Sequence, residues 1–196
     1  MSDLSSQYWN QLYKSGHTVW DIGYVSTPLK MYFDQLTDKS IRILIPGAGN
    51  AYEAEYLFEK GFSETYVLDY AAESLKSFQN RYPDFPKDHL LNADFFEYHG
   101  QYDLIVEQTF FSSIPLEMRQ VYVDKMHKLL KPGGKVAGLL FGHHFDFHEP
   151  PYGGTENEYR SLFGQQFKIK IMNTAHNSIK PRAGRELFFI LQKNSS

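Results

Sequence analysis

From about residue 41 onward, short apolar runs alternate with amphipathic stretches, and this is the feature that most constrains the fold. A continuous apolar run of four to six residues reads as a strand buried on both faces. Such strands separated by helical stretches imply a parallel sheet covered by helices. The run 41–45 leads into Pro46-Gly-Ala-Gly49, and 53–59 continues as a helix with Ala54, Leu57 and Phe58 on one side and Gly61 at its end. A second strand, 65–69, precedes a helix over 73–81, which Pro83 stops. A weaker third strand lies at 89–92, a strong fourth at 102–106, and an amphipathic helix over 118–130 ends in the turn Lys131-Pro-Gly-Gly134 before a fifth strand at 136–141. Two further strands, 167–172 and 187–191, flank Pro181-Arg-Ala-Gly184 and are expected to form an antiparallel edge. The fold class is therefore α/β.

At 196 residues the chain suits one domain, 1–196, with a core over 37–196 and an aromatic-rich leading region over 1–36. Aromatic residues make up 16% of the chain, and Tyr8, Trp9, Tyr13, Trp20, Tyr24, Tyr32 and Phe33 all precede the first strand. Net charge is −3 with Lys and Arg scattered singly, which leaves no footprint for a phosphate backbone or an anionic membrane. The absence of cysteine excludes disulfides, thiolate catalysis and cysteine-ligated metal. With no apolar run long enough to span a bilayer and no targeting pattern at the start, a cytoplasmic protein is the expectation. No heptad or apolar stripe asks for a partner, so a monomer is expected.

The chemistry is concentrated at the carboxyl ends of the strands, where open α/β sheets bind ligands. Gly47 and Gly49 let the backbone turn tightly after the first strand and approach a ligand. Asp69 ends the second strand about twenty residues later, where a carboxylate can accept from both hydroxyls of a ribose, and Tyr70 follows it. A dinucleotide site wants a third glycine where the next helix begins, and this chain has Tyr52 there. That favours S-adenosylmethionine, which carries no pyrophosphate, over a nicotinamide cofactor. Asp94 and Phe95 are placed to meet an adenine, or else Asp94 is a helix cap. Glu107 and Gln108 end the fourth strand; Glu107 either holds the amino group of the methionine moiety or is a hydrogen-bonded loop acid. The run His143 to Glu149 holds three imidazoles and two carboxylates; it reads as a loop over the substrate pocket, with no metal expected.

Trp9-Asn-Gln-Leu-Tyr13, Val19-Trp-Asp-Ile-Gly23 with Thr27-Pro-Leu29, Phe110-Phe-Ser-Ser-Ile114, Glu117-Met-Arg119, Leu129-Leu-Lys-Pro-Gly-Gly134 and Pro150-Pro-Tyr152 together resemble the thiopurine S-methyltransferase family. Within it they are most similar to the thiol and halide methyltransferase branch, and the likeness spans nearly the whole chain. The resemblance implies a Rossmann-like seven-stranded methyltransferase sheet, mostly parallel with an antiparallel edge hairpin, and an N-terminal helical lid over S-adenosylmethionine. It implies that Trp9, Tyr13 and Trp20 line the cofactor pocket, although Tyr13 stands where the halide branch usually has tryptophan. It places Gly47, Asp69, Asp94, Phe95 and Gln108 at the cofactor and Arg119 near the acceptor, with Tyr152 and Arg182 as further substrate-side candidates. Aromatic faces suit a sulfonium, yet the same rings can simply pack a core. Arg119 can equally lie on a helix surface paired with Glu117 or Asp124. The expected activity is methyl transfer from S-adenosylmethionine to a small nucleophile, a thiol or related sulfur or halide compound, leaving S-adenosylhomocysteine. A non-catalytic S-adenosylmethionine sensor is the alternative, and a nicotinamide-dependent oxidoreductase a more distant one.

Overall fold

The computed structural model describes residues 4–146 and 148–195. Seven strands form one sheet: β1 (Ile43–Pro46), β2 (Thr65–Asp69), β3 (Leu90–Asn92), β4 (Tyr102–Gln108), β5 (Leu130–Phe141), β6 (Lys168–Thr174) and β7 (Glu186–Gln192). Their order is β3-β2-β1-β4-β5-β7-β6. The first five run parallel, and β7 lies antiparallel between β5 and β6. Every strand read from the sequence is present, including the antiparallel edge.

The period of two along the central strands sends their side chains to two separate cores. Leu44, Leu68 and Ile105 pack against α5 (Arg119–Leu129) and α6 (Glu156–Phe163) through Tyr122, Met126, Tyr159 and Phe163. Ile43, Ile45, Val67 and Val106 face the opposite way, toward α2 (Thr27–Phe33), α3 (Tyr52–Glu59) and α4 (Ala72–Arg81). Helices thus cover both faces of the sheet.

Two helices exceed the sequence expectation. α2 opens with Pro28 in its first turn, where a missing N–H costs nothing. α6 begins with a capping box in which Thr155 Oγ1 accepts from Glu158 N and the Glu158 carboxylate accepts from Thr155 N. β5 is longer than expected, because Lys131-Pro-Gly-Gly134 continues the strand instead of ending as a turn. The register against β4 slips there, from Tyr102 opposite Leu130 to Leu104 opposite Lys135, which accommodates the extra residues as a bulge. Ahead of the sheet, α1 (Ser6–Ser15) is capped by Ser5 and stopped by Gly16 in the left-handed conformation, and it buries none of its residues. No helix among the described residues is long and apolar enough to cross a membrane.

Candidate active site

After β1 the chain turns through Gly47 (φ +57°), Gly49 (φ +55°) and Ala51 (φ +54°) into α3. At Gly47 the absence of a side chain is required twice over. The left-handed conformation disfavours any Cβ, and one built there would lie 2.2 Å from the Phe110 ring. Asp69, at the end of the neighbouring β2, fixes this turn: its carboxylate accepts from Gly49 N at 3.0 Å and from Ala71 N at 2.8 Å. Burial pushes the Asp69 carboxyl above its usual range, while those N–H donors pull it back down.

Over the carboxyl ends of the strands lies a cavity of about 790 Å³. Of the residues expected at the cofactor, Trp9, Tyr13, Trp20, Gly47, Asp69 and Tyr70 line it, as do Asp94 and Phe95. The rings of Trp9 and Trp20 meet edge to face at 5.5 Å, and Tyr13 meets Trp20 in the same way at 6.1 Å. α1 is tied to α4 through Asn10 Oδ1, which accepts from Glu73 N at 2.9 Å, and the residue ahead of its cap is held by Tyr70, whose hydroxyl donates to Leu4 O. Asp94 Oδ1 accepts from Phe96 N at 2.8 Å and so also caps its own turn.

Five expected site residues fall off the cavity wall. Gly49 stands behind the turn, with the Tyr13 hydroxyl over it. Glu107, expected at the methionine amino group, is wholly buried beneath α5, where it accepts from Phe111 N at 2.9 Å and from the Tyr122 hydroxyl. Burial pushes its carboxyl up to about 7. Gln108 points to the other face and accepts from Ser26 Oγ at 3.3 Å. The alternation of β4 explains both placements, and the backbone reaches the cavity only at the next residue, Thr109, in the left-handed conformation at φ +64°.

Arg119 is likewise set back from the cavity. Its guanidinium stacks on Phe111 at 4.6 Å and donates to the carbonyls of Tyr152 and Gly153 at 3.3 and 3.0 Å, so it holds the 150–154 segment against the sheet. Tyr152 is anchored by its own backbone N–H, 2.6 Å from Ser112 O, and its ring lies outside the main cavity.

The wall also contains Thr109 and Arg185, which the sequence did not single out, together with Phe110, Ser113 and Met118 from the motifs quoted above and Phe145 from the 143–149 run expected over the pocket. Arg182, a weak candidate from sequence, lines the cavity as well. The histidine run disperses, with His144 Nε2 3.0 Å from Glu158 and His143 Nε2 2.8 Å from Arg185.

The strand order, the glycine turn after β1 and the acid closing β2 define the class I S-adenosylmethionine-dependent methyltransferase fold. Solved structures agree. The N1-methyltransferase of 1,6-didemethyltoxoflavin from Burkholderia thailandensis, solved with that compound and S-adenosylhomocysteine, superposes with a TM-score of 0.75 at 18% identity, over 96% of this chain and 87% of that one. Magnesium protoporphyrin IX methyltransferase from Synechocystis, also with S-adenosylhomocysteine, gives 0.73 at 13% identity, over 96% and 98%. At the sequence level, a probable thiol methyltransferase 2 of Arabidopsis thaliana is 26% identical over all of this chain and 89% of its own length. Thiocyanate methyltransferase 1 of Brassica oleracea is 28% identical over 91% of this chain and 81% of its own. The family model for thiopurine S-methyltransferase matches residues 4–189. The chain belongs to the thiopurine S-methyltransferase family, and it is an S-adenosylmethionine-dependent methyltransferase.

Proposed function

We propose that this chain methylates a small thiol-type acceptor and that S-adenosylmethionine is held by the β1–β2 half of the cavity. The observation that carries the reading is Asp69. Its carboxylate lines the cavity, with Gly49 N–H donating to one oxygen and Ala71 N–H to the other, and a carboxylate held in this way at the end of β2 suits two vicinal ribose hydroxyls. Gly47 supplies the close backbone approach, and Asp94 with Phe95 suits an adenine. Tyr52, where a dinucleotide fold wants glycine, puts a bulky ring under the Arg81 guanidinium at 4.2 Å at the start of α3, which does not suit the close backbone approach of a pyrophosphate.

When bound, S-adenosylmethionine supplies an electrophilic methyl group on a cationic sulfur. The chain's own residues surround that position with the faces and edges of Trp9, Tyr13 and Trp20, which stabilise positive charge and exclude water. An acceptor sulfur that has already lost its proton to solvent would bring its own electron pair to that methyl group, and the donor sulfur would keep the pair of the bond it gives up. A thiolate needs little help from a base, so alignment by the cavity walls supplies most of the acceleration. α1, whose aromatic side chains line the cavity while none of its residues is buried, is suited to act as a lid. The reading takes 1–196 as one domain, a monomer working in the cytoplasm on small molecules rather than on nucleic acid or membrane.

Titration calorimetry with S-adenosylmethionine and S-adenosylhomocysteine, followed by a methyl-transfer assay over thiols, sulfide, thiopurines and halides, tests this. Binding with thiol turnover is expected. Binding without turnover of any acceptor makes the chain a sensor, and no binding removes the cofactor assignment.

A further inference from the structure

The charged groups on the cavity wall are sorted by position. Of the two carboxylates, Asp69 closes β2 and Asp94 follows β3. Both guanidiniums, Arg182 and Arg185, precede β7. β2 and β7 stand four places apart in the sheet, which at about 4.8 Å per strand separates the two ends by roughly 19 Å. The cavity is therefore acidic where the adenosine is assigned and basic at its far end, beside Phe141 and Phe145.

The two arginines are not equivalent. Arg182 is committed to the protein: it pairs with the buried Glu186 at 3.3 Å and donates to Trp20 O at 2.7 Å, so its charge is neutralised and its geometry fixed. Arg185 has no carboxylate partner among the described residues. Its side chain bonds to His143 Nε2 at 2.8 Å, and because a guanidinium only donates, that nitrogen is the acceptor. His143 in turn packs against Phe145 at 4.6 Å between ring centres, so the histidine orients the guanidinium at the apolar end of the cavity without cancelling its charge.

We propose that Arg185 is a specificity-determining residue that pairs with a second anionic group on the acceptor, a carboxylate remote from the reacting sulfur. The preferred substrates are then apolar or aromatic thiols that bear a carboxylate. This rests on the methyltransferase reading above. Phe141, Phe145 and the Pro150–Pro151 pair take the acceptor's apolar body, and Arg185 takes its charged end. The side chain sits at an exposed rim, so the pairing is partly screened and the preference it confers is about fivefold.

The test compares 4-mercaptobenzoate with 4-mercaptobenzamide, which match in size and differ in charge. In the unaltered enzyme kcat/KM favours the benzoate by about fivefold, mainly through KM, and the margin narrows as salt rises. In Arg185→Gln the ratio falls to near parity, and Arg185→Lys keeps part of it. S-adenosylhomocysteine titrated into each variant separates the acceptor's carboxylate from the cofactor's own: its affinity stays unchanged if the acceptor is the partner. Equal kcat/KM for the two thiols in the unaltered enzyme, a ratio that survives Arg185→Gln, or a matching loss of S-adenosylhomocysteine affinity each overturns the inference while leaving methyl transfer standing. No turnover of either thiol and no cofactor binding overturns both readings.

Discussion

Glu107→Gln is expected to change how stability depends on pH, and the size of the effect follows from the burial of that carboxyl. Glu107 is fully buried, with the Phe110 and Phe111 N–H groups and the Tyr122 hydroxyl as donors and no ion-pair partner among the described residues, and burial raises its pKa from 4.5 to about 7. An acid whose pKa is raised on folding binds its proton more tightly in the native state. Its contribution to stability is then fully present below about pH 4.5 and is lost as pH rises through about 7. At about 1.4 kcal/mol per pH unit, the loss totals about 3 kcal/mol. Glutamine keeps an oxygen for Phe111 N–H and an amide for Tyr122 but does not titrate, so it removes this slope. Urea unfolding of both proteins between about pH 5 and 8 reads the difference. The variant should gain on the wild type by roughly 2 to 3 kcal/mol over that span. A difference that stays constant with pH would refute the argument. Glu53, buried beside Ser26 with its carboxyl pushed up to about 6, gives the wild type a second slope of the same sign that both proteins share and that cancels in the comparison.

Three further outcomes are expected. Gly47→Ala should abolish S-adenosylhomocysteine binding in calorimetry, and adding Phe110→Ala should restore it only in part, because the clash is relieved while the left-handed backbone is not. Asp69→Ala should weaken S-adenosylhomocysteine by about a hundredfold or more, as two charge-assisted hydrogen bonds at about 1.5 kcal/mol each are lost; Asp69→Asn should fall between. Arg119→Ala should cost about 2 kcal/mol in urea unfolding, by releasing the carbonyls of Tyr152 and Gly153 and the stack on Phe111. It should also raise the acceptor KM while S-adenosylhomocysteine affinity holds, and unchanged unfolding would contradict the anchoring role.

What the sequence made legible was whatever depends on local pattern. Parallel strands buried on both faces are continuous apolar runs, so β1, β2 and β4 could be read directly, and the residue closing each of them could be placed at the ligand-binding edge. Two local signals mark helices that hydrophobic periodicity does not show. Thr155 with Glu158 is a capping box that announces α6, and Thr27-Pro28 suits a helix start. The placement of Glu107 off the cavity wall has a subtler cause. A strand's end shows which backbone reaches the edge, while the face each side chain takes follows a period of two, so Glu107 turns into the core, Gln108 to the opposite face, and the cavity is met at Thr109, where the chain leaves strand geometry at φ +64°.

Arg185 marks the boundary of that kind of reading. It lies more than forty residues from Phe141 in the chain, and nothing near either residue predicts that they share a wall. They meet because β7 inserts antiparallel between β5 and β6, pairing Phe141 with Glu186 and bringing the segment before β7 beside the segment after β5. The same ladder continues with Gly142 N–H on Arg185 O, and a local turn sets Arg185 N–H on Arg182 O, so strand order and one tight turn together assemble the basic end of the cavity. In a parallel sheet every strand would deliver its carboxyl end to the ligand. The one reversed strand delivers its amino end instead, which is how residues preceding β7, rather than following it, come to face this cavity.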